Sequence, residues 1–260
     1  MIPKIIHYCW FGGADKNPLI QKCMQSWSEH CPNYEIIEWN ENSFDLNSCT
    51  YVREAYTAKK WAFVSDYVRV WALNQCGGVY LDTDVELKRS LDVFLQHKAF
   101  TGFEKEDSPF TAVFGSEKGH PLTKKILESY IDRHFLLEDG TFDLQTNTES
   151  VTRLLVECYN IQLDNSLQKT SDGLYVYPND YFCPKSHADN MVRITENTYA
   201  IHWFDGSWMD VTVKNRHRIV QRLNRIFGER IVSDVSGIIS CVNNEGIIDY
   251  IRNRLKKYIL

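Results

Sequence analysis

The 260-residue chain sets 29 Lys/Arg against 34 Asp/Glu, a formal net charge of −5, with 43% hydrophobic and 13% aromatic residues. That composition supports a sizeable buried core in one large domain and excludes a low-complexity or disordered chain. No run of about 18 apolar residues occurs, so no segment reads as membrane-spanning.

The opening "MIPKIIHYCWFGG" has one lysine and no small-residue cleavage site, so it reads as a first strand over 3–10 rather than a signal peptide. His7, Trp10 and the Gly12–Gly13 pair follow it, where a loop can approach a nucleotide base. The stretch is not G-x-G-x-x-G, and no Walker lysine motif appears, which disfavours a Rossmann dehydrogenase or a P-loop NTPase. Asn17 and Pro18 start a helix as N-cap and first helical residue. A second short buried strand over 34–39 then gives the strand–helix–strand opening of an α/β domain.

Residues 51–76 are helical in pattern, and Gly77–Gly78 stop them. Within "KKWAFVSDYVRVWALNQCGG" the helix is apolar nearly all round, yet Ser65, Asp66 and Arg69 share one stripe. An intrahelical Asp–Arg pair, worth about 0.2–0.5 kcal/mol, is the bland explanation. On a buried helix its desolvation cost exceeds that gain. Asp66 as an acceptor for sugar hydroxyls and Arg69 as a phosphate or sugar contact explain the stripe better.

A strand over 79–82 follows, in "GGVYLDTDVELKRSL". Strand alternation points Asp82 and Asp84 the same way, and their mutual repulsion calls for a cation. A hard divalent ion suits carboxylate oxygens; two solvated acids at a turn are the alternative. Further strands fit 99–104 and 111–115, and helices fit 121–136 and 147–158. Residues 159–197 read as long surface loops.

A closing strand, "TYAIHWF", leads into "YAIHWFDGSW", with His202, Trp203, Asp205, Gly206, Ser207 and Trp208. His202 suits a third metal ligand where carboxylates already supply charge; a core histidine among core aromatics is equally compatible. Two amphipathic helices, 214–227 and 245–257, end the chain.

The eight cysteines form no C-x-x-C pair and no asparagine stands in a sequon. Reduced thiols in a cytoplasmic protein are the simpler account. From Thr212 onward ten Lys/Arg face four acids, so that tail carries +6 and residues 1–211 carry −11. The expected boundary therefore divides a body, 1–211, from a basic tail, 212–260. A basic tail suits peripheral contact with the inner face of the plasma membrane, although solvated helices packed on the body would look the same. The acidic body argues against nucleic acid.

Taken together, "PKIIHYCWFGG", "AFVSDYVRVWALNQCGGVYLDTDV" and "AIHWFDGSW" resemble the D-x-D sugar transferases of glycosyltransferase family 32, whose bacterial members serve capsular polysaccharide synthesis. The match runs in order over about residues 2–208. The layout is also similar to the glucosylating domains of large clostridial toxins. The resemblance implies a GT-A-type domain, a Rossmann-like mixed α/β sheet flanked by helices. It also implies a nucleotide-sugar donor, a divalent metal and retention of anomeric configuration. By that resemblance Asp66 binds donor ribose or sugar hydroxyls, Arg69 the sugar and phosphate side, and Tyr80 lies near the nucleotide. Asp82 touches ribose or donor sugar, Asp84 ligates the metal, His202 is the C-terminal metal ligand, and Trp208 covers the diphosphate. Many members carry T-G-P ahead of a central helix. Here "QTNTES", with Asn147 and Thr148, stands in that place, a departure that leaves the acceptor-side contact open.

Breaking a sugar–phosphate bond builds negative charge on the departing diphosphate, which a metal, Arg69 and a Trp N–H can stabilise. A double displacement would need a carboxylate nucleophile, for which Glu104 and Asp205 are the candidates. Same-face attack, with the leaving phosphate taking the acceptor proton, is preferred. Mn2+ is the expected cation, with Mg2+ second. The acceptor class is a glycan or lipid-linked oligosaccharide, and the donor a UDP-sugar. A carbohydrate-binding module, a nucleotide-sugar hydrolase and a metal phosphoesterase are the rivals.

Overall fold

The computed structural model describes residues 1–110, 112–206 and 211–228. These fall into two compact units, one of residues 1–185 and 192–206, the other of 186–191 and 211–228.

In the first unit β1 (Ile5–Cys9) pairs in parallel with β2 (Glu35–Trp39), joined by helix α1 (Pro18–His30). α1 begins as its sequence dictates: the Asn17 side chain accepts from the Ile20 amide at 3.0 Å and Pro18 sits at the first position. β2 lies at one edge of the sheet and is largely exposed or half-buried, so the expected buried strand is an edge strand.

The expected single helix over 51–76 is two, α2 (Thr50–Thr57) and α3 (Trp61–Cys76). Lys59 adopts φ 56° between them, a left-handed conformation that breaks a helix even where apolar spacing continues. α3 buries Phe63, Val64, Val68, Ala72 and Leu73 and ends where the Gly77 amide returns to the Leu73 carbonyl at 2.8 Å. With φ 69°, Gly77 holds a conformation that costs other residues strain.

β3 (Gly78–Leu81) is buried throughout and pairs in parallel with β1 and antiparallel with β6 (Val113–Ser116). β5 (Ala99–Gly102) pairs with β6 and, in parallel, with β8 (Leu174–Tyr177), which carries β7 (Gln168–Lys169) on its outer side. The main sheet is thus a mixed seven-stranded one, ordered β2-β1-β3-β6-β5-β8-β7. Helices flank it, as the α/β expectation required.

β7, β8 and the short helix α6 (Asn179–Phe182) fall inside 159–197, where loops are expected. The run "LYVY" is only four residues long and flanked by turn formers, so its pairing with β5 supplies what local pattern lacks. Helix α4 (Pro121–Glu128) stops short of the expected 136, whereas α5 (Asn147–Tyr159) matches expectation. A second ladder, β4 (Val85–Leu87) with β9 (Ala200–His202), lies apart from the main sheet. α1 packs on it: Trp27 Nε1 donates to the Val85 carbonyl at 2.8 Å, and the Leu87 amide donates to Ser26 Oγ at 2.8 Å.

In the second unit α7 (Val211–Phe227) is held by residues 186–191: Gln221 donates to the His187 carbonyl at 3.0 Å and Asn224 to that of Ala188 at 2.8 Å. The expected helix over 245–257 lies outside the described residues. No described helix is long and apolar enough to cross a membrane, and no disulfide joins the described cysteines.

Packing at the sheet centre is tight. A Cβ on Gly115 would meet the Phe100 ring at 2.0 Å. Gly115→Ala should therefore cost about 1–3 kcal/mol through overpacking, read as a lower Tm; an unchanged Tm would mean that Phe100 can move aside.

Candidate functional site

The site lies past the carboxyl ends of β1 and β3, the sheet edge where open α/β folds hold ligands. Asp82 continues the β3 ladder by one bond, its amide donating to the Ala112 carbonyl at 3.1 Å. The chain then turns, and the Val85 amide closes on the Asp82 carbonyl at 3.0 Å. Asp82 and Asp84 are consequently not two residues of one strand, as expected, but the two ends of a turn between β3 and β4.

The third member arrives from far along the chain. β4 and β9 pair with Val85 opposite His202, and the Trp203 amide donates to the Asp84 carbonyl at 3.0 Å. This ladder sets His202 Nε2 3.4 Å from Asp84 Oδ1. One ligand atom from each of Asp82, Asp84 and His202 lies within 4.8 Å of the others. Two carboxylates and an imidazole suit a divalent cation by the chemistry of the donor set. Burial works against the Asp84 carboxylate, but the facing His202 and the Asp205 amide hold its pKa below the ordinary range. Burial likewise disfavours the His202 cation, yet Asp84 opposite lifts its pKa well above the usual imidazole value. Without a metal these two groups neutralise each other, which is the role a cation would take over.

A chain of charge runs from this cluster into α3. Arg69 Nη2 bridges Asp66 Oδ1 at 2.9 Å and Asp82 Oδ1 at 3.2 Å. Tyr80 donates its hydroxyl to Asp82 Oδ1 at 2.9 Å, and the Arg69 guanidinium lies 4.7 Å from the centre of the Tyr80 ring. Arg69 Nε also reaches the Ser65 carbonyl at 3.4 Å, so the Ser65 contribution is its backbone; its hydroxyl turns back to Trp61. The ion pair expected as the bland alternative does form, but it is one link in a chain that ends on Asp82. Burial drives the Asp66 pKa up to about 6, against the pull of Arg69, and the Asp82 charge adds to the rise.

Asn147 opens α5, where Thr146 caps the Glu149 amide at 3.3 Å. The asparagine is buried, 6% exposed, and lies close enough to Asp66 to favour its charged form. Neither of its amide atoms completes a full hydrogen bond among the described residues; the N–H faces Asp66, which leaves the oxygen for a ligand.

Glu104 follows β5, and its Oε2 stands 3.9 Å from His202 Nδ1. Burial raises its pKa. Asp205 is fixed at both ends, its amide donating to Asp84 Oδ2 at 2.8 Å and its Oδ2 accepting from Asn17 at 3.1 Å. Trp10 is half-buried at the end of β1, its Nε1 donating to the Ala14 carbonyl at 2.7 Å.

His7 is a correction. It is fully buried, with Nε2 bonded to the Gly77 carbonyl at 2.8 Å and Nδ1 accepting from Trp39 Nε1 at 3.1 Å. Both nitrogens are spent on the core, which leaves neither for a nucleotide. Ser207 and Trp208 lie outside the described residues.

Lys185 is the residue that sequence pattern missed. It is 8% exposed, donates Nζ to the Trp203 carbonyl and lies 5.3 Å from the centre of the Trp203 ring. Burial lowers its pKa, while Asp84 and Asp205 nearby oppose that. Nothing in "FCPKS" marks this lysine.

Residues 18–101 match the family model described as "Glycosyltransferase sugar-binding region containing DXD motif". Inositol phosphoceramide mannosyltransferase 3 of Schizosaccharomyces pombe is 29% identical over 135 residues, 49% of this chain and 37% of that protein. The chain thus spans little more than a third of this fungal relative. An uncharacterized glycosyltransferase of Acanthamoeba polyphaga mimivirus is 25% identical over 225 residues, 78% of this chain and 85% of the relative. Among solved structures, the galactosyltransferase LgtC with donor and acceptor sugar analogues aligns over 84% of this chain and 95% of its own, at 13% identity and TM-score 0.43. A glycosyltransferase involved in glycosylating the PBCV-1 major capsid aligns over 84% and 100%, at 12% identity and TM-score 0.45.

Proposed function

We propose that the chain is a metal-dependent glycosyltransferase of GT-A type. It would move a hexose from a nucleoside-diphosphate sugar to a hydroxyl of a glycan or lipid-linked acceptor. The convergence of Asp82, Asp84 and His202 beside the Asp66–Arg69–Asp82–Tyr80 chain carries this reading. The D-x-D sugar-binding match over 18–101 supports the donor class. The fungal relative's name makes mannose one candidate for the transferred sugar and a sphingolipid one candidate for the acceptor. A capsular or exopolysaccharide role is the bacterial form of the same chemistry.

Asp84 and His202, with Asp82, would hold the divalent cation, Mn2+ before Mg2+ by ligand type. When bound, it supplies positive charge to the diphosphate leaving group. Asp66 and Asn147 would accept from sugar hydroxyls, fixing the anomeric carbon against the acceptor. Arg69, pinned between two carboxylates, would meet the negative charge that grows on the diphosphate, and Lys185 adds charge nearby. Trp10 would contact the nucleotide. In the retaining step the C1–O bond to phosphate breaks and the acceptor oxygen bonds to C1 on the same face. The acceptor proton passes to the departing phosphate oxygen. Asp205, already tied to Asn17, is poorly free to act as a nucleophile.

Thermal unfolding with UDP, GDP, CMP and their sugars, each with and without Mn2+, tests the donor class. One nucleotide should raise Tm only with metal. No shift with any nucleotide, together with a shift on free glycans, would turn the reading to a carbohydrate-binding module. Release of free sugar without transfer to any acceptor would make the chain a hydrolase.

A further inference from the structure

We propose that Glu104 is a positioning residue for His202: its carboxylate accepts the imidazole Nδ1–H and so leaves Nε2 to bind the cation that Asp84 would share. The proposal rests on the metal-site reading above and deepens it by assigning the group that orients the imidazole.

The two ring nitrogens face different partners. Nε2 looks at Asp84 Oδ1 from 3.4 Å, whereas Nδ1 looks at Glu104 Oε2 from 3.9 Å. His202 is 8% exposed, and Nδ1 is buried with no hydrogen bond among the described residues. A buried ring N–H without a partner costs stability, so a nearby acceptor is under pressure to close on it. The thiol of Cys183 also lies against the imidazole, but sulfur is a weak acceptor. Glu104, half-buried, is the charged acceptor within reach. The remaining gap is about 1 Å longer than a hydrogen bond; such contacts lengthen in a ligand-free site and tighten when it fills. Glu104 opens a short turn whose backbone is closed by its amide donating to the Ser108 carbonyl at 2.8 Å, so closure of the gap falls to side-chain rotation.

A carboxylate behind a ligating histidine fixes its tautomer and raises its basicity, and loss of such a partner typically costs 10–100-fold in metal affinity. This assignment departs from the expectation of Glu104 as a sugar nucleophile.

The test is Mn2+ affinity by calorimetry or electron paramagnetic resonance on wild type, Glu104→Ala, Glu104→Gln, His202→Ala and the Glu104→Ala/His202→Ala double variant, with metal-free Tm as the folding control. Glu104→Ala should weaken binding about 10–100-fold. Glu104→Gln, whose amide oxygen still accepts, should retain most of the affinity. The double variant should bind no worse than His202→Ala, since nothing is left to orient. Wild-type affinity in Glu104→Ala, an equal further loss in the His202→Ala background, or a glycosyl adduct trapped on Glu104 would overturn the proposal. Equal Mn2+ binding by wild type and Asp84→Ala would overturn the metal-site reading as well, and so separates the two failures.

Discussion

Asp84→Ala should reduce sugar transfer about a thousandfold and abolish the metal-dependent rise in Tm. Asp84 is the point where three separate constraints meet: the turn from Asp82, the ladder to His202, and the amide of Asp205 on its second oxygen. Removing it takes away one of two carboxylates that would hold the cation, and with it charge stabilisation of several kcal/mol on the leaving diphosphate. About 4 kcal/mol corresponds to roughly a thousandfold in rate. It also strands a buried imidazole that shares its charge with Asp84, so some loss of metal-free stability should follow. Asp84→Asn separates the effects, because its amide oxygen still accepts from Asp205. It should keep the Asp205 contact and so lose less metal-free stability than Asp84→Ala, and still fail to bind metal. Steady-state transfer rates and Mn2+ titrations check both variants; Asp84→Asn with full metal response and near-normal turnover would remove the cation from the mechanism.

Asp66→Asn should lower transfer about a hundredfold while making the protein more stable at neutral pH. The carboxyl has an ordinary pKa near 3.8, and burial lifts it to about 6 in the folded chain. Between those values the folded chain holds a proton that the unfolded chain has released, so this group makes stability fall as pH rises through the window. Above about pH 6 the cost is fully present, near 3 kcal/mol. A neutral amide avoids it, and Tm at pH 7.5 should rise by several degrees. The same group would accept hydrogen bonds from sugar hydroxyls as a carboxylate, worth about 3 kcal/mol when charged, hence the loss of rate. Wild-type kcat/KM should accordingly fall on the acid side of about pH 6. A variant that loses both activity and stability would mean that Asp66 serves only as a counter-ion for Arg69.

Asn147 shows how local pattern and tertiary placement divide the work. Its position at the start of α5 follows from the Thr146–Glu149 cap, which is written in four consecutive residues. Its burial, with its amide facing Asp66 of α3, depends on residues about 80 positions apart in sequence coming together. His7 shows the reverse: a histidine within a strand looks equally suited to a ligand or to the core. Only the approach of Trp39 and the Gly77 carbonyl decides for the core.

What the sequence determined by itself is local: the Asn17–Pro18 helix start, the Gly77 stop, the buried "GVYL" strand, and the Ser65–Asp66–Arg69 stripe. Each depends on neighbours within about one or two helical turns, whose preferences act through backbone sterics and short-range hydrogen bonds. Tertiary structure decided that Asp82 and Asp84 flank a turn, that "LYVY" joins the main sheet, and that Val85 pairs with His202. Those outcomes are set by strand register and by burial between segments distant in sequence, where a slip of one residue reverses every side chain. The candidate metal site belongs to this second class: its residue types can be named from the chain, but their meeting is a property of the β4–β9 ladder.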